Sequence, residues 1–512
     1  MPKTPYIIAV VLLIIGIVAG YVAGYYIANP ATTITITTTS LATQTTYLAG
    51  TDQSVPRVQT VTITPIQQIA TTTLTVTKTE GVAYTVPQKI KAAWIYVGPV
   101  GDFGWSYMHD VGRRVVAELY KDWLETTYVE NVQASQSPAV IDDLVRKGYT
   151  VIFTTSFDFM DQTYEKAQEY RNVMFFHCSG YKRLSNMGTY FADLYQIYYL
   201  NGLMAGALTK TGKIGYVAAH TIPEVVRHIN AFAIGAKEVG EQLGKNITVY
   251  VIEIGAWFDP DKAKAAAETL VNQFNVDVLA FTEDSTAVVE YAESLYKQGK
   301  QIYVFSHYSP MYEWGPDVVV SGQLVRWEVI YADILAKIKA GIYTPSNLQN
   351  VDYWYLLNTG AVDLGAHVYP NGSVMRINPK FVPLLKSIMV KDVRTGETLS
   401  VYDLVMRRYN EMKEAPLLQP LQGTALTHQL EVLANISTGS SHVPAATIAP
   451  VFDPFTGPLA GYCIAGMHYS RFCTGQPDNA PVNVQPGERL THDDLWNMDW
   501  FVKWVAFQGT IK

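Results

Sequence analysis

The chain has few cysteines and few charged side chains. Its 512 residues include only three cysteines, which excludes a disulfide-dense scaffold and a multi-cysteine metal cluster. Charged residues make up 16% of the sequence, and 38 basic residues against 45 acidic ones give a net charge of −7. Because no block of lysine or arginine offsets this charge, we do not expect a nucleic acid or an anionic membrane surface as a partner.

The sequence also lacks the short motifs of the common enzyme classes. It contains no Walker A sequence, no Gly-X-Ser-X-Gly elbow and no His-Glu-X-X-His helix. The glycines of GPVGDFGW (98–105) are not followed by the Lys-Ser/Thr pair of a phosphate loop. His492-Asp493-Asp494 fits an exposed helix N-terminus better than a metal site. We therefore predict a protein that is not an enzyme, with no catalytic residue, cofactor or metal.

The first 28 residues contain a long apolar run. Residues 6–27 read YIIAVVLLIIGIVAGYVAGYYI and carry no charge. At about 1.5 Å per residue, such a helix crosses a hydrocarbon core of about 30 Å. A cleaved signal peptide is the alternative, although its apolar core usually covers about 7–15 residues. We predict a single-pass anchor in the cell membrane, or a signal, at 1–28, with the folded body on the extracellular side.

Residues 29–85 are rich in threonine and nearly free of charge. Nineteen of residues 31–79 are threonine. Such a tract cannot bury a core, and its density of hydroxyl groups is typical of an O-glycosylated stalk. Three Asn-X-Ser/Thr sequences farther along, at Asn246, Asn371 and Asn435, predict N-glycosylation of an exported protein.

From residue 86 onward, apolar runs alternate with amphipathic segments. Runs typical of buried strands occur at 91–98, 150–155, 172–177, 213–219, 247–254, 277–282, 302–307 and 317–324. Helical segments of about 10–15 residues follow most of them, which favours parallel βαβ units. We predict an α/β fold with two doubly wound lobes, 86–211 (plus a crossover at about 321–345) and 212–320. Residues 346–512 would form a C-terminal extension that packs on the second lobe, with loop insertions.

Two of the three cysteines lie ten residues apart in a loop-rich segment. Cys463 and Cys473 belong to GYCIAGMHYSRFC, and in an exported protein this spacing favours a disulfide. The alternative adds His468 to form a metal site, but the spacing of these three ligands is untypical. Cys178 follows an apolar strand, so we expect it to be a buried apolar residue.

The loops at the carboxyl ends of the predicted strands are rich in aromatic and acidic residues. Ligands of doubly wound folds bind at these ends. The residues found there are Trp105, Tyr107, Phe157, Asp158, Trp257, Phe258, Asp284 and Trp327. Aromatic faces stack on flat rings, and carboxylates accept hydrogen bonds from amino or hydroxyl groups. Core packing is the alternative for each aromatic ring, but together they predict a site for a flat heterocycle.

Long segments of the chain resemble a known family of transport proteins. They are GPVGDFGWSYMHDVGRR (98–114), TTSFDFMD (154–161), MGTYFADLYQIYYLNGLMAGALTKTGKIGYVA (187–218), IPEVVRHINAFAIGAKEV (222–239), WFDPDKAKAAAETLVNQFNVDVLAFTEDSTA (257–287), FDPFTGPL (452–459) and LWNMDWFVKWV (495–505). These resemble the basic-membrane-protein family of ABC-transporter substrate-binding proteins, and most closely its purine- and nucleoside-binding branch. The resemblance implies two Rossmann-like lobes of a periplasmic-binding-protein type I fold. It also implies an ABC permease in the membrane as a partner.

The resemblance further implies which residues touch the ligand. By position these are Asp102, Trp105, Phe157, Trp257, Phe258, Asp284, Ser285 and Trp327. This chain departs from the family at SHYSPM (306–311), where relatives commonly place an acidic loop that can hold ribose hydroxyls. The loss of that carboxylate favours a free base, or a ligand outside the purines, over a nucleoside.

Three functional hypotheses follow from the sequence. The first is a membrane-anchored receptor of an ABC importer that closes two lobes over a purine base or nucleoside-like heterocycle. The alternative is a structural or adhesive surface protein that retains the binding-protein fold, since 360–450 and the cysteine loop match nothing in the family. A third, an exported nucleoside hydrolase or phosphorylase, requires an acid–base pair that we do not find in the sequence.

Overall fold

The computed structural model describes residues 84–369, 372–413 and 452–511. The predicted membrane helix and nearly all of the predicted stalk lie outside the described residues. Within the three described ranges, no helix has both the length and the apolar character that a membrane span requires. The described residues from Thr85 onward belong to one compact unit.

The first part of this unit alternates strands and helices. In chain order its elements are β1 (Ile90–Ile95), α1 (Trp105–Leu119), β2 (Leu124–Val129), α2 (Ser137–Arg146), β3 (Val151–Thr154), α3 (Met160–Glu169), β4 (Met174–Cys178) and β5 (Met187–Ala192). Strands β3, β4 and β5 are buried at every residue. Such continuous apolar strands are typical of a parallel sheet that is covered on both faces.

The alternation continues through a second set of elements. They are α4 (Tyr195–Leu208), β6 (Lys213–Ala218), α5 (Pro223–Gln242), β7 (Thr248–Glu253), α6 (Pro260–Gln273), β8 (Val278–Thr282), α7 (Ala287–Lys297), β9 (Tyr303–Ser306) and β10 (Val319–Val325). Each of the eight strands predicted from apolar runs overlaps an observed strand, so the α/β class is confirmed.

The remaining elements are shorter and less regular. They are α8 (Trp327–Lys339), β11 (Asp352–Tyr355), β12 (Val362–Leu364), β13 (His367–Val368), β14 (Val374–Met375), α9 (Val382–Ser387), β15 (Met389–Lys391), β16 (Thr398–Ser400), α10 (Val401–Lys413), β17 (Leu459–Cys463), β18 (Pro481–Val484), α11 (His492–Trp496), β19 (Trp500–Val502) and β20 (Val505–Thr510). Helix α11 begins after the capping residue Thr491, so His492-Asp493-Asp494 is a helix N-terminus, as predicted.

Two large sheets define two lobes. The first lobe has six parallel strands in the order β2-β1-β3-β4-β5-β11. The second has seven strands in the order β12-β10-β9-β8-β6-β7-β20, and only β12 at its edge is antiparallel. Strand β11 requires a correction. It lies in the extension that we expected to pack on the second lobe, yet it joins the first sheet beside β5.

Helix α4 connects the two sheets and is buried along its whole length. It packs closely against α5 because glycines face the contact. A Cβ atom at Gly202 would overlap the carbonyl oxygen of Phe232, and one at Gly206 would overlap that of Ala236. Only glycine permits this approach of two helix backbones.

A buried carboxylate ties both lobes together where β5 ends. Asp193 forms an ion pair with Arg227 of α5 at 2.7 Å and accepts a hydrogen bond from Trp354 Nε1 at 2.8 Å. His228 Nε2 lies 3.2 Å from the same carboxylate. Burial acts to raise the pKa of Asp193, but the adjacent Arg227 holds it below its ordinary value. The carboxylate is therefore charged and fixed by residues from two other segments of the chain, α5 and β11.

Residues 452–504 form a small region that we call the C-terminal module. Its core is a three-stranded sheet in the order β18-β17-β19. Cys463 and Cys473, the predicted pair, are joined by a disulfide with a Cα–Cα distance of 5.7 Å. Their sulfurs are therefore not available to the alternative metal site with His468. Cys178 is a free cysteine and is buried.

The three predicted glycosylation sites differ in what the structure describes. Asn246 is exposed in the turn between α5 and β7. Asn371 and Asn435 lie outside the described residues. Glycosylation at all three positions stays a prediction.

Candidate ligand-binding site

A narrow cavity lies between the two lobes. Its lining residues are Val97, Trp105, Ser156, Phe157 and Ser179 from the first lobe and Glu224, Trp257, Asp284 and Tyr308 from the second. All but two of them come within four residues after a strand of one of the two parallel sheets; Trp105 is the first residue of α1, and Glu224 lies in the first turn of α5. The cavity therefore occupies the carboxyl ends of the strands, where ligands of doubly wound folds bind.

Trp105 is fixed firmly in the first lobe. It is the first residue of α1 and only 6% exposed. Its indole Nε1 donates a hydrogen bond to the carbonyl oxygen of Thr155 at 2.5 Å, and its backbone N–H donates to Asp284 Oδ1 at 3.0 Å. Its ring meets Trp327 edge to face at 5.3 Å. One part of this tryptophan lines the cavity while the rest belongs to the core.

Trp327 lies behind Trp105 and is fully buried. It stacks on His109, with 4.2 Å between the ring centroids and 14° between the planes. Burial lowers the pKa of His109, so this imidazole is neutral. Trp327 is therefore not among the residues that line the cavity, although the sequence predicts a ligand contact there. Trp327 packs against Trp105 and supports that ring from the core.

Trp257 lines the cavity from the second lobe and is held much more loosely than Trp105. It lies on the loop between β7 and α6 and is half-buried. Its Nε1 donates a hydrogen bond across the lobes to Asp158 at 3.1 Å, and its ring meets the edge of His220 at 4.8 Å. The neighbouring Phe258 is 41% exposed and does not line the cavity.

Asp102 and Tyr107 hold the first ligand loop rather than line the cavity. The Asp102 carboxylate accepts hydrogen bonds from the backbone N–H groups of Gly104, Ser106 and Tyr107, at 2.9, 3.0 and 2.9 Å. It thus caps the free N–H groups at the start of α1. Burial raises the pKa of Asp102 to about 6 despite these three bonds.

Asp284 and Ser285 follow β8 and have different roles. Asp284 lines the cavity, and burial together with the nearby Asp102 raises its pKa well above the ordinary value. Ser285 is buried behind it. Its Oγ donates to Glu283 Oε1 at 3.1 Å and accepts from the backbone N–H of Ala287 at 3.2 Å, at the start of α7.

Glu224, Tyr308 and Ser179 line the cavity but were not predicted as site residues. Ser179 Oγ donates to Glu224 Oε2 at 2.6 Å, and Tyr308 Oη donates to Glu224 Oε1 at 3.0 Å. A glutamate in the first turn of a helix is stabilised by the helix dipole, which is a structural reason for its presence. The position of Glu224 in the sequence therefore does not indicate a ligand contact. Tyr308 belongs to SHYSPM (306–311), whose missing carboxylate does not indicate that the tyrosine lines the site.

The lobes are in direct contact around the cavity. Ser309 Oγ donates to the carbonyl oxygen of Phe103, and the rings of Phe103 and Trp314 are 4.4 Å apart. The cavity volume is only about 10 Å³, which is room for about one water molecule. A flat ring therefore enters only when the lobes separate or the lining side chains move.

The lining combines aromatic rings with hydrogen-bond acceptors. It has four aromatic residues and two carboxylates, and among the described residues that line it there is no lysine or arginine. Such a site can stack on a flat, neutral ring and accept hydrogen bonds from its amino groups. It offers no positive charge to a phosphate or a carboxylate. Across the described ranges, no group of three or more His, Cys, Asp or Glu residues could hold a metal ion.

Comparisons with known proteins agree with this architecture. A family model described as "ABC transporter substrate-binding protein PnrA-like" matches residues 89–379. A purine-binding protein of Brucella abortus is 35% identical over 285 residues, which cover 56% of this chain and 77% of that protein. A putative ABC transporter glucose-binding protein of Haloferax volcanii is 37% identical over 271 residues, or 53% of this chain and 66% of that one.

A solved structure supports the fold. The solute-binding protein of an ABC transporter system from Aeropyrum pernix K1 matches with a TM-score of 0.53 and 16% identity. The match covers 69% of this chain and 98% of that one. At this identity the likeness concerns the fold alone, whereas the family model covers more than half of the chain. The family resemblance found in the sequence is confirmed, and the chain belongs to the PnrA-like family of ABC transporter substrate-binding proteins.

Proposed function

We propose that this protein is a membrane-anchored extracellular receptor of an ABC importer and binds a purine base or nucleoside-like heterocycle between its two lobes. The observation that carries the proposal is the cavity at the carboxyl ends of both sheets, lined by Trp105, Phe157, Trp257 and Tyr308. A ligand that touches both lobes stabilises the closed arrangement, because only that arrangement supplies all of its contacts.

The acceptors in the cavity fit the hydrogen-bond donors of a purine. Glu224 and Asp284 can accept hydrogen bonds from ring N–H and exocyclic amino groups. Among the described residues that line the cavity there is no lysine or arginine, which favours a neutral ligand over a phosphorylated one. The relative from Brucella abortus is named as a purine-binding protein, which supports the same class of ligand. The loop 306–311 lacks the carboxylate that relatives commonly place there, so we do not expect this loop to hold the ribose of a nucleoside.

A thermal-shift screen tests the proposed ligand class. The full chain is incubated with adenine, guanine, hypoxanthine, uracil, adenosine, riboflavin and glucose, each at several concentrations. At 100 times its Kd a ligand adds about 2.7 kcal/mol to the free energy of unfolding. We expect a purine to raise the melting temperature most, and Glu224→Gln to reduce that rise. If glucose alone raises the melting temperature, the ligand is a sugar and not a purine. If no compound raises it, the alternative of a structural surface protein is favoured.

The membrane anchor and the permease partner are further parts of the proposal. They depend on the apolar run at 6–27 and on the family, whose members are described as ABC transporter substrate-binding proteins. We expect the full chain to stay in the membrane pellet after extraction at alkaline pH. A chain without residues 1–28 should appear in the supernatant. Release of the full chain under the same conditions would contradict a retained anchor.

A further inference from the structure

A second and much larger cavity lies beside the narrow one. Its volume is about 610 Å³, which is within the range of about 300–1,000 Å³ for small-molecule pockets. Phe157, Ser179 and Glu224 line both cavities, so the two spaces adjoin. We call the larger one the side chamber.

The C-terminal module supplies one wall of the side chamber. The residues that it contributes are Met467, Tyr469, His492, Asp493, Trp496 and Asn497. All of them lie outside residues 89–379, to which the family model applies. The chamber is therefore formed by the family fold together with a segment that the family model does not cover.

The chamber wall is anchored by packing and hydrogen bonds. Trp496 meets Phe191 of the first lobe edge to face at 5.7 Å and stacks on His492 at 5.5 Å. Arg227 donates a hydrogen bond to the carbonyl oxygen of Leu495 at 2.6 Å. The backbone N–H of Tyr469 donates to Asp499 Oδ2 at 2.5 Å. The contacts with Phe191 and Arg227 hold the module against both lobes, and the bond to Asp499 fixes Tyr469 within the module.

The charges of the chamber argue against an anionic occupant. Arg183 is paired with Asp352 at 2.8 Å, and Arg227 is paired with the buried Asp193 at 2.7 Å. The lining also contains the carboxylates of Glu224 and Asp493, and the latter side chain is 91% exposed. A phosphate would meet neutralised cations and additional negative charge, whereas neutral hydroxyl groups can donate to these carboxylates.

The aromatic rings of the chamber offer a surface for an uncharged ring. Tyr181 and Tyr469 line it and are 56% and 58% exposed, so much of each ring is free for contact. Trp496 adds a half-buried indole. Exposed aromatic rings next to carboxylate, amide and imidazole groups are suited to a ligand part with apolar faces and hydroxyl edges.

We propose that the side chamber is a second subsite, in which the C-terminal module binds a neutral, hydroxylated extension of the ligand, such as a sugar ring. This inference rests on the proposed function, because the flat ring in the narrow cavity would place its substituent at Phe157, Ser179 and Glu224. The substituent would then be held by the C-terminal module and not by the loop 306–311.

Matched ligands with and without the extension test the subsite. Isothermal titration calorimetry on the full chain compares adenine with adenosine and guanine with guanosine, with adenosine 5′-monophosphate as the charged control. The variant is Tyr181→Ala combined with Tyr469→Ala, since both rings are largely exposed and their loss should leave the fold intact. Tyr369→Ala is the matched control, because Tyr369 is 44% exposed and does not line the chamber.

We expect each nucleoside to bind more tightly than its base, and the double variant to weaken only the nucleosides, by about tenfold, or about 1.4 kcal/mol. The control should change neither, and the monophosphate should bind more weakly than adenosine. Equal losses for base and nucleoside, or no loss for either, would overturn the subsite and leave the proposed function standing. Failure of all bases and nucleosides to bind would overturn both.

Discussion

The two tryptophans that line the narrow cavity, one from each lobe, are held in very different ways. Trp105 is 6% exposed, bonded through its indole to Thr155 and packed on Trp327 and His109. Trp257 is half-buried on a loop, and its indole N–H bonds only across the lobes, to Asp158. The sequence predicts a ligand contact at both residues, whereas the structure makes Trp105 part of a core and places Trp257 on a loop.

This difference suggests a division of roles between the lobes. A side chain in a packed core keeps its place whether or not a ligand is present, because moving it would open a void. A side chain on a loop can adjust to the ligand and contributes through contact more than through the fold. We therefore expect substitution of Trp105 to lower the stability of the fold, and substitution of Trp257 to lower the affinity for the ligand.

The largest effect is expected from Trp105→Ala. Removal of a buried tryptophan typically lowers the free energy of unfolding by about 3–5 kcal/mol, because the cavity that it leaves is not refilled. Urea denaturation of the full chain measures this loss, and Trp105→Phe should lose clearly less because it retains a ring. An unfolding midpoint close to that of the unaltered protein would mean that Trp105 is not a core residue.

A smaller effect, of another kind, is expected from Trp257→Ala. Loss of a stacking ring should weaken binding of adenine or guanine by about 1–3 kcal/mol, or about 5- to 150-fold. The unfolding midpoint should hardly change. Phe258→Ala is the control, because Phe258 is the adjacent aromatic residue and lies outside the cavity lining. If the two variants bind equally well, the second lobe has no stacking wall at this loop.

The smallest effect concerns pH and the carboxylates Asp102 and Asp284, one from each lobe. Burial raises the pKa of Asp102 to about 6, and burial and Asp102 raise that of Asp284 well above its usual value. A carboxyl group whose pKa is raised in the folded state stabilises the fold most at low pH. This contribution to the free energy of unfolding is lost as the pH rises through the raised pKa. Glu283 and Glu224 add negative charge near Asp284 and act in the same direction.

From about pH 6 to about pH 8, Asp102 alone should reduce the free energy of unfolding by about 0.4 kcal/mol. Unfolding midpoints measured at the two pH values provide the test. Asp102→Asn should remove much of this slope, although it also changes the cap of α1. Burial lowers the pKa of His109, which makes stability rise over the same interval in both proteins, so the test is the difference between them. A difference in unfolding free energy between the unaltered protein and Asp102→Asn that does not fall from pH 6 to pH 8 would contradict the raised pKa of Asp102.

The sequence predicts the strands of both lobes well because their apolar runs are continuous. It does not reveal α4, since all fourteen residues of this helix are buried and leave no polar face to mark its period. Strand β2 is missed for the opposite reason. It is an edge strand in which only Leu124 is buried, so its pattern resembles that of a loop.

The candidate site is predicted in part, and the misses have physical reasons. Four of the nine predicted ligand residues line the narrow cavity: Trp105, Phe157, Trp257 and Asp284. Trp327 begins a helix at a strand end, and its sequence position does not determine whether its ring points to the ligand or to the core. Tyr308 reaches the cavity from a backbone with φ of 56°, a conformation that is uncommon outside glycine and that no local pattern predicted.

The glycine contact between α4 and α5 restricts how the lobes can move apart. Shear motions require packed helices to slide by small side-chain adjustments. Here the backbones of the two helices touch at Gly202 and Gly206, so at these two positions no side chain separates them that could adjust. We therefore expect the pair to move as one block and the lobes to open by hinge rotation in the segments that connect the two sheets.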